Sequence, residues 1–407
     1  GDHKQARQPI ELLDETMRDG LQSASVIDPP VERKIEILHL MDRLGLSSAN
    51  IGLPGAGPRT VEQVEALARE IRDARLAIRP NCAARTVIRD IEPIVDISQR
   101  VGIPIEACTF IGSSPIRQYA EDWTLDTMLR HTEEAVGFVR RQGLECMFVT
   151  EDTTRAHPDT LAKMFRVAIR AGASRICLCD TVGHITPRGV GALVRFTRDL
   201  IDAEGAQVKI DWHGHNDRGL GAINAVVAIG TGAHRVHGTA LGIGERVGNA
   251  PLDQILVNLK LWGWIDQDLS ALGEYCRTVA EAVGFTIPMN YPVVGADAFR
   301  TGTGVHAAAI IKAIRKGDAW LTDAVYSGVP AHLFGLEQVI EVGPMSGESN
   351  VIYWLESRGF EPRREVIERI LARAKASDHT LSDDEVRAIA AGTQTVARRP
   401  PGAAGMP

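Results

Sequence analysis

Two histidines separated by one residue are the most informative chemical groups in the sequence. His213 and His215 directly follow the apolar run 208–212, which is typical of a β-strand. Side chains two residues apart on an extended chain leave the backbone on the same side. Two imidazoles and a carboxylate from another segment would form a divalent-cation site with coordination positions open for a substrate. Asp19 is the best candidate for that carboxylate, and Asn249 is a weaker candidate for a fourth ligand.

The elements that would position these groups alternate between strand and helix. Short apolar runs alternate with amphipathic helical patterns as far as about Gly263, which indicates a parallel sheet. Eight such runs, each followed by a helical segment, predict a closed TIM (β/α)8 barrel. An open sheet that binds dinucleotides would need G-x-G-x-x-G after the first strand, and residues 19–22 do not match it. The predicted strands are 10–14, 49–53, 77–80, 105–111, 145–150, 175–180, 208–212 and 235–241.

Polar residues follow several of these predicted strands. In a TIM barrel the reactive groups lie at the carboxyl ends of the strands, so these segments are expected to meet. Elsewhere, an H-x-H pair is more often two hydrogen-bonded imidazoles without a metal, but this position in a barrel favours the metal site. The polar segments are 14–20, 151–155, 180–181, 213–217 and 242–249.

The remainder of the chain has a different pattern. We predict a catalytic barrel over residues 1–263, mainly helical subdomains over 264–397 and a disordered tail over 398–407, which is rich in Pro, Gly and Ala. Ser382 and Glu385 have the spacing of a capping box and predict the start of a last short helix.

Composition limits the class of protein. The net charge of −7 gives no reason to expect nucleic acid or an anionic membrane as a partner. No apolar run approaches the roughly 20 residues that span a bilayer, and no signal pattern stands at the start, so we expect a cytoplasmic protein. Six cysteines are too few for a disulfide framework in 407 residues and are expected to be buried thiols.

Four motifs carry a resemblance to a known family. Residues 14–22 (DETMRDGLQ) resemble the D-x-T-x-R-D-G-x-Q signature of the 2-isopropylmalate, homocitrate and citramalate synthases. Residues 213–217 (HGHND) resemble the family's H-x-H-N-D, and 244–249 (GERVGN) its G-E-R-x-G-N. Residues 295–306 (GADAFRTGTGVH) resemble a segment that follows the barrel in the family. The order and spacing agree over the whole barrel.

The resemblance implies a metal-dependent condensation of acetyl-CoA with a 2-oxo acid, followed by hydrolysis of the thioester. A divalent ion, Mg, Mn or Zn, would chelate the 2-oxo acid and polarise its ketone. Thr181 and Gln22 are implied to bind that substrate, and Arg18 to stabilise the developing alkoxide. The implied metal ligands are Asp19, His213, His215 and Asn249.

The resemblance also implies how the acetyl methyl group loses its proton. His306 matches a histidine that reaches the barrel of a neighbouring subunit in the family, and Tyr326 is similar to a tyrosine that accompanies it. Glu151 is similar to the acidic partner in the barrel. An intertwined homodimer is therefore expected.

Departures from the family pattern concern specificity. Asn50 replaces a residue that is usually acidic, and Arg117 replaces a histidine. Met147 and Val149 stand where homocitrate synthases carry an Arg and a Ser that hold a distal carboxylate, which favours a 2-oxo acid with an apolar side chain. Arg117 could instead bind an anionic side chain of the 2-oxo acid, or it could bind a phosphate group of CoA. We expect no leucine-sensing domain.

Three alternatives stay open from the sequence. The first is a synthase acting on an anionic 2-oxo acid, of the homocitrate, citrate or phosphonomethylmalate type. The second is a lyase of the hydroxymethylglutaryl-CoA type, whose signature also contains the R-D-G-L-Q of residues 18–22, although residues 238–249 lack the Cys such lyases carry. The third is a barrel that binds metal without catalysis.

Overall fold

The first compact unit of the chain is a closed barrel of eight parallel strands. The computed structural model describes residues 9–392. Strand β1 pairs with β2 on one side and with β8 on the other, where Leu13 lies opposite His237, so the sheet has no free edge. The predicted TIM barrel is confirmed. The strands β1 to β8 are Glu11–Asp14, Ser48–Asn50, Arg79–Arg85, Glu106–Gly112, Cys146–Glu151, Arg175–Asp180, Lys209–Gly214 and Arg235–Gly238.

Helices follow the strands and cover the outside of the barrel. Local signals fix their ends: the side chains of Thr124 and Thr186 accept hydrogen bonds from backbone N–H groups at helix starts. Gly102 and Gly172 end two helices with a positive φ. The helices α1 to α10 are Val31–Arg43, Pro58–Asp73, Ile88–Val101, Pro115–Ala120, Leu125–Arg141, Pro158–Ala171, Pro187–Ala203, Gly221–Thr231, Leu252–Leu261 and Leu272–Val283.

Three strands end at least three residues away from the predicted position, and the first of them, β2, ends at Asn50 and not at residue 53. Strand β3 begins at Arg79 and continues to Arg85, because the small residues after Asn81 pair along β4 although they form no apolar run. Strand β8 ends at Gly238, and a tight turn follows in which Leu241 has a φ of 57°. The turn carries the chain from the carboxyl end of β8 into residues 242–249, the last of the polar segments named above.

A second compact unit begins at Pro288. The first unit thus extends to Ile287, beyond the expected end at 263, because helix α10 packs against α1. The second unit is mainly helical, as expected, and also contains a small parallel sheet of β9 (Arg300–Thr301) and β10 (Val339–Ile340). Its helices α11 to α15 are Gly304–Arg315, Ala319–Ala324, Glu348–Ser357, Arg364–Lys375 and Asp383–Ala390.

Two smaller predictions concern this second unit. The capping box is confirmed, since Ser382 N–H donates to Glu385 Oε2 at 2.9 Å and Glu385 N–H donates to Ser382 Oγ at 3.3 Å. The tail predicted over 398–407 lies outside the described residues. Within residues 9–392, every helix is too short or too polar to be a membrane span.

Buried charges fill the amino-terminal end of the barrel lumen. Asp211 is fully buried and accepts hydrogen bonds from Arg175 at 2.8 Å and Arg235 at 2.5 Å. Glu106 lies 2.7 Å from Arg235 and 3.3 Å from Arg175. Burial alone would raise the pKa of Asp211, but the two guanidinium groups lower it well below its ordinary value. The buried charges at this end of the lumen form a network of ion pairs.

A layer of sulfur-containing side chains lies in the barrel interior. Cys108, Met147, Cys177 and Cys179 form one buried cluster with Val149 packed against it. The Sγ atoms of Cys177 and Cys179 are 3.8 Å apart, as expected for neighbours on one face of a strand. All six cysteines are free thiols and buried.

Candidate active site

A cavity of about 240 Å³ opens at the carboxyl ends of the barrel strands. Its residues all come from the first compact unit. It brings together most of the residues that the sequence singled out, while Asn249 and Arg117 lie outside its lining. The predicted residues that line it are Arg18, Asp19, Gln22, Met147, Val149, Glu151, Thr181, His213 and His215.

Asp19, His213 and His215 form a buried group that could hold a metal ion. Asp19 Oδ2 lies 3.4 Å from His213 Nε2 and 3.8 Å from His215 Nε2. Ligands about 2.1 Å from a tetrahedral ion are about 3.4 Å apart, so these spacings fit a divalent cation. Burial, followed by the neighbouring His213, lowers the pKa of His215 to about 4, so this imidazole is neutral at pH 7, as metal binding requires.

Asn249 lies beside this group. Its backbone forms an antiparallel bridge with His215, and its amide nitrogen donates to Ile243 O at 3.1 Å. Among the described residues, the buried Oδ1 of Asn249 has no hydrogen-bond partner. Because an amide oxygen is a ligand for hard divalent cations, this unpartnered atom is compatible with the expected fourth position.

The turn that carries Asn249 depends on glycine. Gly248 has a φ of 99°, and a Cβ added there would lie 1.7 Å from Gly242 O. Any other residue would therefore displace the turn, which explains physically why the G-E-R-x-G-N pattern ends in Gly-Asn.

Arg18 and Glu15 form an ion pair beside the metal-binding group. Arg18 Nη2 donates to Glu15 Oε1 at 2.7 Å, and Arg18 Nη1 lies 3.6 Å from Asp19 Oδ2. Asp152 pairs with Arg155, and Glu151 lies beside Arg117. Burial opposes the charge of Arg18, but Asp19 and Glu15 outweigh it and raise the pKa of Arg18.

Glu15 is a residue that the sequence prediction missed. Its Oε2 lies 2.6 Å from His213 Nδ1, on the side of the ring opposite Asp19. His237 on strand β8 is also buried and lines the cavity. Glu15 stands at a variable position of the family signature, and its partner His213 is 198 residues away in the sequence. Only the location of Glu15 directly after β1 could have indicated a role in the site.

Thr181 and Glu151 lie on neighbouring strand ends. Thr181 Oγ1 accepts a hydrogen bond from Asp152 N–H at 2.8 Å, so its own hydroxyl proton is available to a substrate oxygen. Burial raises the pKa of Glu151, and the Arg117 guanidinium, whose Nε is 3.5 Å away, opposes that rise. Arg117 also lies 3.1 Å from Glu121.

The rest of the cavity wall is largely apolar. Phe110, Leu53 and Ala83 line it together with Met147 and Val149. Phe110 stands in the predicted fourth strand but could not be assigned to the cavity before the register of the barrel was known. Asn50, at the position that is usually acidic, also lines the cavity, and its Nδ2 has no hydrogen-bond partner among the described residues.

His306 and Tyr326 are both exposed and belong to the second compact unit. Their rings stack with centroids 4.1 Å apart and an interplanar angle of 29°. The predicted pair is thus brought together.

Solved structures with a similar fold include two HMG-CoA lyases. The lyase of Bacillus subtilis aligns with a TM-score of 0.57 at 19% sequence identity, over 70% of this chain and 98% of that chain. The lyase of Acinetobacter baumannii gives a TM-score of 0.58 at 19% identity, over 69% and 93%. At this identity the likeness shows the barrel fold alone.

Sequence comparison is more specific. Residues 9–279 match the HMGL-like family. Homocitrate synthase AksA of Methanopyrus kandleri is 32% identical over 93% of this chain and 89% of its own length. A probable 2-isopropylmalate synthase of the same organism is 31% identical over 90% of this chain and 69% of its own length. The 2-isopropylmalate synthase of Pyrococcus furiosus is 32% identical over 90% and 72%. The chain belongs to the HMGL-like family, and the predicted resemblance is confirmed.

Proposed function

We propose that the protein is an acyltransferase that condenses acetyl-CoA with a 2-oxo acid to give a 2-substituted malate and free CoA. The observation that carries the proposal is the buried Asp19, His213 and His215 group with Arg18 beside it, in one cavity at the barrel mouth. The relatives named as 2-isopropylmalate and homocitrate synthases support the same reaction class.

Each polar residue of the cavity has a task in this reaction. Asp19, His213, His215 and Asn249 would hold a divalent ion, Mg, Mn or Zn, which would supply Lewis-acid polarisation of the ketone. Arg18 places a fixed positive charge where the ketone oxygen becomes an alkoxide. The Thr181 hydroxyl donates to the substrate carboxylate, and Gln22 lies at the rim of the same cavity.

The base that removes the methyl proton of acetyl-CoA is His306 of the partner subunit, with Tyr326 stacked on the same imidazole. Glu151 serves as the acidic partner inside the barrel, where burial raises its pKa. This arrangement requires a homodimer in which the second unit of one chain completes the site of the other.

The substrate side chain is apolar. Met147, Val149 and Phe110 offer no partner to a second carboxylate, and burying an unpaired charge against them would be costly. Arg117 is engaged with Glu151 and Glu121, so its charge is already balanced. This favours 2-oxoisovalerate, or another 2-oxo acid with an uncharged side chain, over a 2-oxo acid with an anionic side chain.

Thiol release from acetyl-CoA tests the reaction. The panel contains 2-oxoisovalerate, pyruvate, 2-oxoglutarate, oxaloacetate and phosphonopyruvate, each with chelator-treated protein and with added Mg²⁺, Mn²⁺ or Zn²⁺. We expect metal-dependent release with an acid whose side chain is uncharged, and no release with the chelator-treated protein. Release only with acids whose side chain is anionic would make Arg117 a specificity residue. If none of the acids causes thiol release and the protein cleaves hydroxymethylglutaryl-CoA, the protein is a lyase and not a synthase.

Mixing two inactive variants tests the homodimer. Asp19→Asn damages the barrel site and His306→Asn damages the base, so each homodimer is inactive if the proposal holds. If the base acts across the interface, subunit exchange at equal concentrations restores about a quarter of the wild-type activity, because half of the dimers carry one intact site. If the base acts within its own chain, mixing restores nothing.

We also propose a cytoplasmic location. Six buried thiols and no disulfide among residues 9–392 are typical of proteins in a reducing compartment. Fractionation of the native host would test this.

A further inference from the structure

Glu15 divides its two carboxylate oxygens between two residues of the proposed active site. Oε2 lies 2.6 Å from His213 Nδ1, and Oε1 accepts from Arg18 Nη2 at 2.7 Å. The side chain is almost fully buried, with 2% of the residue exposed. One carboxylate therefore contacts both a proposed metal ligand and the proposed stabiliser of the alkoxide.

The contact with His213 determines which nitrogen of the ring carries the proton. A neutral imidazole has one N–H, and an ionised carboxylate can only accept a hydrogen bond. Because Arg18 Nη2 donates to one oxygen of this carboxylate at 2.7 Å, the other oxygen is left as an acceptor, and Nδ1 of His213 is the donor at 2.6 Å. His213 Nε2, which lies 3.4 Å from Asp19 Oδ2, then keeps its lone pair for a metal ion.

His237 lies on the other side of Glu15. Its Nε2 is 3.1 Å from Asp211 Oδ2, and its Nδ1 is 3.6 Å from Glu15 Oε1. The ring is 1% exposed, and its Nδ1 has no hydrogen-bond partner among the described residues, so the 3.6 Å separation from Glu15 is an ion-pair distance and not a hydrogen bond. A line of side chains thus connects Asp211, in the amino-terminal charge network, to the barrel mouth.

Glu15, His213 and His237 also bring three possible ligand atoms close enough to hold a metal ion of their own. The local charges argue against that role. The Arg18 guanidinium already donates to the same carboxylate at 2.7 Å and would repel a second cation. The 2.6 Å contact between Glu15 and His213 is a hydrogen-bond distance that leaves no room for an ion between them.

We propose that Glu15 is the positioning residue of the metal centre: it fixes His213 as the Nδ1–H tautomer and holds Arg18 beside Asp19. The inference rests on the metal site of the proposed function and not on the identity of the 2-oxo acid. Neither Glu15 nor His237 is itself a metal ligand in this arrangement.

Mn²⁺ binding to chelator-treated protein tests the proposal, with free Mn²⁺ followed by electron paramagnetic resonance. Glu15→Gln replaces an acceptor-only group by an amide, which can place an N–H donor against His213 Nδ1 or against Arg18. We expect its dissociation constant for Mn²⁺ to rise about 10-fold to 100-fold. Glu15→Asp remains an acceptor and should lose less affinity.

Asp90→Asn is the matched control. Asp90 is a buried carboxylate that pairs with Arg85 at 2.5 Å and does not line the cavity. We expect wild-type Mn²⁺ affinity for this variant and a stoichiometry of one ion per wild-type chain. Unfolding of each metal-free variant in urea separates a change in the site from a general loss of stability.

Several results would overturn the proposal. Wild-type affinity in Glu15→Gln would remove Glu15 from its role, and two Mn²⁺ ions per wild-type chain would make the Glu15 group a metal site instead. If Glu15→Gln does not fold, wild-type affinity in Glu15→Met, which lacks both carboxylate oxygens, would overturn the proposal in the same way. Absence of Mn²⁺ binding by the wild-type protein would also end the proposal, whereas thiol release alone decides whether the condensation takes place.

Discussion

The two ends of the barrel lumen both bury charges, but they treat them differently. At the amino-terminal end, the carboxylates of Asp211 and Glu106 each lie within 3.3 Å of a guanidinium group. At the mouth, Arg18 Nε, His215 Nδ1 and Asn249 Oδ1 are buried without a hydrogen-bond partner among the described residues. The charges at the amino-terminal end balance one another, although Glu106 Oε1 has no hydrogen-bond partner in the described part of the chain, whereas several polar atoms of the proposed site at the mouth have none.

This difference between the two ends distinguishes residues that stabilise the fold from residues that act in the reaction. A buried polar atom without a partner costs about 1–3 kcal/mol, so such atoms persist where a ligand supplies the partner. At the opposite end the buried charges are paired with one another, and these ion pairs act mainly on the stability of the fold. Changes at the amino-terminal end should therefore affect unfolding, and changes at the mouth should affect activity.

The largest effect on stability is expected from Asp211→Asn. The amide cannot balance Arg175 and Arg235, and an uncompensated buried charge costs about 3–5 kcal/mol. Urea unfolding of the metal-free protein measures the loss. Asp73→Asn, which breaks an exposed pair with Arg72, is the control and should leave the midpoint unchanged. Equal midpoints for Asp211→Asn and the wild type would contradict the structural role of the network.

Asp19→Asn at the mouth should show the reverse behaviour. Loss of a metal ligand is expected to lower kcat/KM roughly 10³-fold, or about 4 kcal/mol in transition-state stabilisation. The urea midpoint of the metal-free protein should change little, because Arg18 retains Glu15 as its partner. Asp217→Asn, in the motif that carries His213 and His215, is the control, since Asp217 pairs with Arg246 at 2.8 Å. A similar loss of activity in both variants would remove the distinction.

Strand β1 repeats the comparison with two adjacent carboxylates. Glu15 faces the lumen, whereas Asp14 is hydrogen-bonded to Thr16 N–H at 2.7 Å and to the hydroxyl of Tyr275 on helix α10. Burial is the main cause that raises the pKa of Asp14 to about 6 from an ordinary 3.8, and the nearby charge of Glu15 adds to it. Folding thus makes the carboxyl group of Asp14 a weaker acid.

The pH dependence of stability follows from that shift. The contribution of protonated Asp14 is fully present below its unfolded pKa near 3.8 and is lost as the pH rises through about 6. Asp14→Asn lacks this titration. The free energy of unfolding of the variant minus that of the wild type should therefore increase by about 3 kcal/mol between pH 4 and pH 7. Urea unfolding of both proteins across this range measures the difference. A constant difference would show that Asp14 has the same pKa in both states.

The sequence predicted those parts of the site that depend on local geometry. His213 and His215 were placed together by strand spacing alone, and the polar strand ends placed Asp19 and Glu151 at the same end of the barrel. Contacts that depend on closure of the barrel were not accessible. Glu15 meets His213 across 198 residues, because β1 and β7 each pair with β8 in a register that no local pattern encodes.

The same limit explains the boundary of the first unit. The strand pattern stops near residue 263, but Tyr275 contacts Asp14 across 261 residues and ties helix α10 to the barrel. Strand β3 was misplaced for a related reason, since Asn81 and the small residues after it form a strand only when β2 and β4 supply hydrogen bonds on both sides. Tertiary pairing outweighs local propensity at these positions.

The smallest effect is expected at the rim, where Arg117 and Glu121 act on Glu151 in opposite directions. Burial raises the pKa of Glu151, Arg117 lowers it, and Glu121 raises it further. If ionised Glu151 assists the base, kcat/KM falls as the pH drops through its pKa. Arg117→Gln should move this limb of the profile to higher pH, and Glu121→Gln should move it to lower pH. Shifts in the same direction for both variants would show that the limb belongs to another group, because only the charges around Glu151 predict opposite signs.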